Sequence, residues 1–387
     1  MIPSMPGAMQ GGGFDDMKKK YSGFVHPLAI VEIGGKPFAD KKKNMMITEI
    51  QAELTSGFEA SVATFKIFGV YDKQDGSFRF KDISKQVILG NSVVIKLGYL
   101  KSTEVVFIGF IASVNFGFNV NDLPYIEVTA MDVKGIMMSG SYAMQLAAKS
   151  YGEAVKEILR RTAYDRLQSG SAIKDIQVTD TPDSQEKQSG ERADTIEMVS
   201  ESDYEFVVKA AKKFNYEFYT DCGTVYFRKA KSNINILMEL GTESGIMNFD
   251  INYSLTGMVE TIEVCSIDAG TGKLIKSKKK YSETLSVGSA AKKLISKSRH
   301  VYIDPTIISQ QHADARAESL LETMSYRLGE ARCECIGIPE LQPGRFVKIG
   351  GMGAPVDNQF YLTSVTHILD EGGYRTKIIG CANSVKK

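Results

Sequence analysis

Gly270-Thr271-Gly272-Lys273 comes nearest to a chemical motif in this chain. A glycine-rich loop closing on lysine cradles phosphate with backbone amides when three conditions hold. A glycine stands five residues before the final one, Ser or Thr follows the lysine, and a helix N-terminus faces the anion. Here those two positions are Ile267 and Leu274, and the surroundings read as strand, turn, strand. A hairpin turn is expected, without a nucleotide. Cys333-Glu334-Cys335 puts two thiols on one strand face, half of what a tetrahedral zinc site needs. No close Cys or His pair completes it, and Cys222, Cys265 and Cys381 are isolated. The pair therefore reads as small buried hydrophobes.

His26, His300, His312 and His367 match no metalloprotease spacing. His312, near a helix start, and His367, in a strand, read as structural or surface residues. No catalytic residue, cofactor-binding residue, cofactor or metal ligand is assigned. Lys273, Lys276, Lys278, Lys279 and Lys280 make a basic run that either blunts an exposed strand edge or meets an acidic partner subunit. Glu201, Asp203 and Glu205 suit a helix N-terminus better than paired catalysis.

The elements that carry these residues can be read in turn. Ser202-Asp203-Tyr204-Glu205 has the form of a capping box. Phe206, Ala210 and Phe214 then give one apolar helical face, with Lys212, Lys213 and Asn215 as its end. Tyr216–Tyr219 and Thr224–Arg228, around Asp221-Cys222-Gly223, predict an aromatic hairpin. Ser150-Tyr151-Gly152-Glu153 repeats the capping form ahead of Val155, Ile158, Leu159 and Ala163. A helix is predicted over Gln311–Leu328, with Ala313, Ala317, Leu320, Leu321, Met324 and Leu328 on one face.

The chain has 387 residues, enough for two or three domains. Its formal charge of +1 argues against a dedicated nucleic-acid or anionic-membrane binder. No apolar run is long enough to span a bilayer. Residues 1–20 read as a disordered tail. Strands are predicted over Phe24–Ile33, Met45–Leu54, Ala60–Phe68, Ser92–Gly98, Val105–Val120 and Tyr125–Met131. Within the fifth, Val114, Phe116, Phe118 and Val120 alternate with polar or small residues. Ser169–Arg192 reads as a long polar loop. Ile246–Leu255 and Met258–Ile267 look like partners, followed by the basic strand Lys273–Tyr281. Arg332–Ile338, Arg345–Gly350, Phe360–Ile368 and Tyr374–Cys381 complete the chain.

One internal echo stands out. Gly90–Ile95, Phe107–Val114 and Tyr125–Thr129 run in the same order as Gly344–Ile349, Phe360–Val365 and Tyr374–Ile378. This reads as duplication of one β-barrel. The expected fold is α+β and mostly β: two similar β-barrel domains, 21–144 and 241–387, with an α/β domain, 145–240, inserted between them.

Two blocks carry a family resemblance. The first is Glu201–Phe206, Ala210–Phe218 and Gly223–Arg228. The second is Gly337-Ile338-Pro339, Leu341–Gly344, Tyr361–His367 and Gly373–Thr376, with a weaker match at Phe107–Gly109 and Val128–Asp132. Together they resemble the phage late-control protein D family, which includes baseplate hubs of contractile tails and the hub part of the type VI secretion spike. The resemblance implies a structural, non-enzymatic homotrimer adapting a six-fold inner tube to a three-fold spike. It would be made in the bacterial cytoplasm and assembled in the baseplate of a phage tail or tail-like particle.

Implied partners are the inner tube protein, a spike or tip protein and other baseplate subunits, with no sequence-specific nucleic acid and no stable membrane insertion. Because the chain stops at Lys387, soon after the second barrel, the spike is expected to be a separate protein. Candidate interface residues are Val114, Phe116, Phe118 and Val120 on one strand and Leu341, Pro343 and Gly344 in one turn. The rival readings are a cytosolic hydrolase with a dispersed triad and a barrel that binds single-stranded nucleic acid.

Overall fold

The computed structural model describes residues 13–38, 44–161, 164, 173–182, 196–268, 270–281, 288–305, 307 and 309–385. The fold is α+β and mostly β. Its first part contains α1 (Phe14–Lys20), β1 (Pro27–Ile33), β2 (Lys36–Pro37), β3 (Met46–Thr55) and β4 (Val62–Phe68). The short hairpin β5 (Tyr71–Asp72) and β6 (Ser77–Phe78) precedes β7 (Ser92–Tyr99), β8 (Ser102–Gly117) and β9 (Tyr125–Met131). In β4 fully buried residues alternate with half-buried ones, and Ala63, Phe65 and Ile67 face the core. Helix α1 corrects the expected disordered tail over 14–20. Met17 is buried, and residues 1–12 lie outside the described residues.

The middle unit comprises α2 (Val133–Met137), β10 (Tyr142–Leu146), α3 (Tyr151–Leu159), β11 (Asp175–Val178), β12 (Ile196–Glu201), α4 (Asp203–Phe214), β13 (Tyr216–Asp221) and β14 (Thr224–Lys229). Both predicted caps form. Ser150 Oγ accepts from the Glu153 amide at 3.2 Å, and Ser202 Oγ from the Glu205 amide at 3.2 Å. The Ser202 amide in turn donates to Glu205 Oε2 at 2.7 Å, completing the box. Asn215 ends α4 in a left-handed conformation, φ 56° and ψ 46°. The hairpin β13–β14 gains β11 as a parallel third strand, inside the stretch expected to be a loop. Residues 169–172 and 183–192 of that stretch, like Ala163, lie outside the described residues.

The last part begins with β15 (Ile236–Leu240) and β16 (Ile246–Tyr253). A smaller unit follows: β17 (Thr261–Ile267), β18 (Leu274–Lys280), α5 (Ser289–Ile295), β19 (Arg299–Ile303) and α6 (Gln310–Ser325). The chain then forms β20 (Gly329–Ile336), β21 (Phe346–Ile349), β22 (Asn358–Asp370) and β23 (Gly373–Ala382). Here the expected partnership of residues 246–255 with 258–267 fails. β16 pairs with β20, while β17 pairs with β18 and β19. The chain leaves the large sheet after Tyr253 and returns at Gly329, where the Ser254 amide bonds Leu328 O at 2.8 Å. Between those points Ile262, Val264, Ala313, Ala317, Leu321 and Met324 bury a separate core. A continuous run of strand-like sequence hides such an exit.

The large sheet has thirteen strands. Its first six run β1-β7-β8-β9-β4-β3 in space, and its second six run β15-β21-β22-β23-β20-β16. In order of appearance both units are therefore wired identically, with the small α/β unit replacing the short β3–β4 connection. They differ at the first strand, antiparallel to its neighbour in β1–β7 and parallel in β15–β21. Both carry a register shift at matching places, Ile111/Ser113 in β8 and Leu362/Ser364 in β22. Those shifts align Val128 with Ile378 rather than Thr129 with Ile378. The sequence echo is thus right in order and one residue out in its third strand.

Two separate closed barrels, as expected, are not what the ladders form among the described residues. β3 pairs with β22 (Ile50–Thr55 against Ser364–Leu369), so the units merge into one open sheet. Helix α1 clasps both units. Lys20 Nζ lies 2.7 Å from Glu104 of β8 and 2.7 Å from Glu340, to which the Tyr21 hydroxyl also donates at 2.7 Å.

Candidate interaction surface

The Leu341–Gly344 turn is an internal joint. Leu341, Pro343 and Gly344, three of the candidate interface residues, are buried within the chain. The cause lies in the middle unit. Arg228 of β14 bonds Glu217 at 2.5 Å, the Tyr219 hydroxyl at 2.8 Å and the Gly344 carbonyl at 2.9 Å. Glu217 also accepts from the Tyr361 hydroxyl of β22. A buried charge is costly unless hydrogen bonds surround it, and this cluster surrounds Arg228 with acceptors from both units.

His367 is structural, as expected. It is fully buried, and its Nε2 lies 3.1 Å from the Leu341 carbonyl. A carbonyl only accepts, so Nε2 carries the proton and Nδ1 accepts from the Tyr374 hydroxyl at 2.9 Å. Burial pushes its pKa down to about 4. His312 caps no chemistry either; its ring stacks on Phe214, 6.2 Å between centroids, where α6 rests against α4.

The remaining motifs take their bland forms. Gly270–Lys273 is the β17–β18 turn, with Asp268 Oδ1 accepting from the Gly270 and Thr271 amides at 2.8 and 3.1 Å. Cys333 and Cys335 are buried on one face of β20, and burial pushes the Cys333 thiol up to about 12. The basic run lies along β18, an edge strand, where Lys276 pairs with Glu263 of β17. Asp203 does more than suit a dipole: buried at the start of α4, it bonds Arg161 and Tyr164. Among the described residues no group of three or more His, Cys, Asp or Glu could hold a metal ion. No helix among them is long and apolar enough to cross a membrane.

One exposed apolar set lies at the outer end of β8 and just beyond it. The structure ends β8 at Gly117, so Phe118 and Val120 continue into an Asn119–Asp122 turn rather than a strand. Val114 packs on the core, whereas Phe116, Phe118 and Val120 are exposed. Phe116 meets Phe78 and Phe80, each 5.3 Å away, and Phe118 meets Tyr71 at 5.4 Å. Those three partners were missed in the sequence, because the short hairpin and the helical turn after it precede β8 by some distance and their few aromatics make no periodic pattern. A second exposed apolar set, Met247 and Phe249, lies on β16, the end strand of the large sheet.

A family model described as the Alg8 N-terminal domain matches residues 60–371, most of the chain. The chain belongs to this family. No curated protein matches the sequence. Among solved structures, this Alg8 N-terminal domain family member shares its fold with a tail protein from Neisseria meningitidis MC58. That match has TM-score 0.65 and 13% identity, covering 93% of this chain and 97% of that one. The 43 kDa tail protein of prophage MuSo2 from Shewanella oneidensis gives TM-score 0.64 and 15% identity, with 92% and 98% covered. An E. coli component of the type VI secretion system, described as similar to T4 bacteriophage tail proteins, gives 0.51 and 10%, with 90% and 76% covered.

Proposed function

We propose that this chain is a structural protein of a tail baseplate, acting as its homotrimeric hub in a phage tail or tail-like injection particle. The observation that carries this reading is the repeated unit: two six-stranded arrays with one wiring order and a bulge at the same place. Three copies of such a chain offer six similar surfaces, which suits a six-fold inner tube on one side and a three-fold spike on the other. The fold shared with tail proteins supports it. The role is mechanical rather than catalytic, with the tube protein, a spike or tip protein and other baseplate subunits as partners. Synthesis is in the bacterial cytoplasm and assembly is in the baseplate.

Light scattering tests the reading: the purified chain is expected at about three times 42.6 kDa. Co-purification with its genomic neighbours, followed by imaging, should reveal a tube or spike partner. A stable monomer that captures neither sinks the proposal.

A further inference from the structure

We infer that the outer half of β8 in one copy pairs, antiparallel, with β16 of the next copy. The inference rests on the trimeric reading and supplies its subunit contact. Its source is a joint already present inside one chain. There, the third strand of the second unit (β22) crosses onto the last strand of the first (β3), with Ser364 opposite Thr55 and Leu369 opposite Ile50. The corresponding strands on the free sides are β8, third in its unit, and β16, last in its unit. β8 pairs with β7 only through Phe110, and from Ser113 to Gly117 its ladder partner is β9 alone. β16 ends the large sheet and pairs with β20 alone among the described residues. Adding β8 of a neighbour to β16 continues the same sheet, across a junction of the kind the chain already makes.

The shared bulge fixes the register. Ser113 occupies the place of Ser364, so Phe116 takes the place of His367 and Phe118 that of Leu369. On the other strand, Ile251 lies opposite Ala331, which faces Gly380. Ala52 lies opposite Ala63, which faces Ala130. Gly380 and Ala130 stand beside the two bulges, so Ile251 takes the place of Ala52. Phe116 then meets Ile251 and Asn115 meets Asn252, while Phe118, one residue beyond the end of β8, lies level with Phe249.

Exposure supports this match. At the internal joint Ile50, Ala52 and His367 are 1%, 0% and 0% exposed, whereas Phe249, Phe116 and Phe118 are 36%, 45% and 58% exposed. Cross-strand apolar and aromatic pairs stabilise a sheet, and unpaired apolar edges invite a partner. The two surfaces are different patches of one chain, so the contact is head-to-tail and closes into a ring when the rotation allows.

Paired cysteines test it in the full chain. Asn115 and Asn252 are both exposed, so Asn115→Cys with Asn252→Cys leaves the core untouched. Mild oxidation is expected to give a covalent ladder ending at a closed trimer. Asn115→Cys with Asn248→Cys, four residues out of register, is expected to cross-link at least tenfold more slowly. A trimer by light scattering that cross-links through neither pair overturns the edge pairing and leaves the hub reading standing. Equal or faster cross-linking through Asn248 overturns the register. A monomer overturns both.

Discussion

Gly90 and Gly344, 254 positions apart in the chain, hold the same place in the two units. Gly90 N donates to Ile111 O at 2.9 Å and Gly344 N to Leu362 O at 2.9 Å. The return bonds also match, Ile111 N to Asn91 O and Leu362 N to Arg345 O, both at 2.8 Å. Both glycines sit at positive φ, +84° and +78°. Alanine at either position strains the backbone by roughly 1–2 kcal/mol. Beyond that the two differ: a Cβ at Gly90 meets nothing within 4 Å, whereas at Gly344 it lies 2.3 Å from the Tyr219 hydroxyl. Chemical denaturation is expected to show Gly344→Ala as the more costly of the two by at least 1 kcal/mol. Equal losses would mean that the joint yields freely.

The Arg228 cluster should behave as a unit. Its side chain is 12% exposed and that of Glu217 is 6%. Removing one partner leaves the other charge buried, so Arg228→Met is expected to cost about 3 kcal/mol. Arg228→Met with Glu217→Gln should cost less than the two single changes together, by roughly 1 kcal/mol or more. Additive losses in the double-mutant cycle would show that the bonds act independently.

His367 makes stability fall in acid. Its folded pKa, about 4, lies below the ordinary 6.5, so the unfolded chain binds the proton first. This contribution is complete above pH 6.5, declines as pH falls from 6.5 to 4, and amounts to about 3 kcal/mol when lost. Unfolding free energies measured across that window should fall more steeply for the native chain than for His367→Gln. Parallel curves would dismiss the buried imidazole as the cause.

Thiol chemistry should be muted. Burial raises Cys222, Cys333, Cys335 and Cys381, the last to about 11, which starves them of thiolate at pH 8. Titration with a disulfide reagent is expected to find Cys265, partly exposed on β17, reacting first, the partly exposed Cys222 and Cys381 more slowly, and the buried Cys333 and Cys335 only on unfolding. Rapid modification of Cys333 in the folded chain would contradict its burial in β20.

The local rules of the chain were legible because they act over a few residues. Ser202 and Glu205 lie three apart, so their reciprocal bonds follow from spacing, and alternation around Phe65 or Ile378 marks a strand face directly. Even the duplication showed, since matching strands keep their order and their glycines. What sequence alone could not decide was which strand lies beside which. β16 and β17 adjoin in the chain and part in space, while Ile50–Thr55 finds Ser364–Leu369 across some three hundred residues. Strand propensity is blind to partner, and backbone hydrogen bonding is the same for any pair. Burial settles the choice, through Val365, Leu54 and Ala52 in one shared core. The same selection turned Leu341–Gly344 inward and left Phe116, Phe118 and Phe249 on open edges, a distinction no local pattern of apolar residues carries.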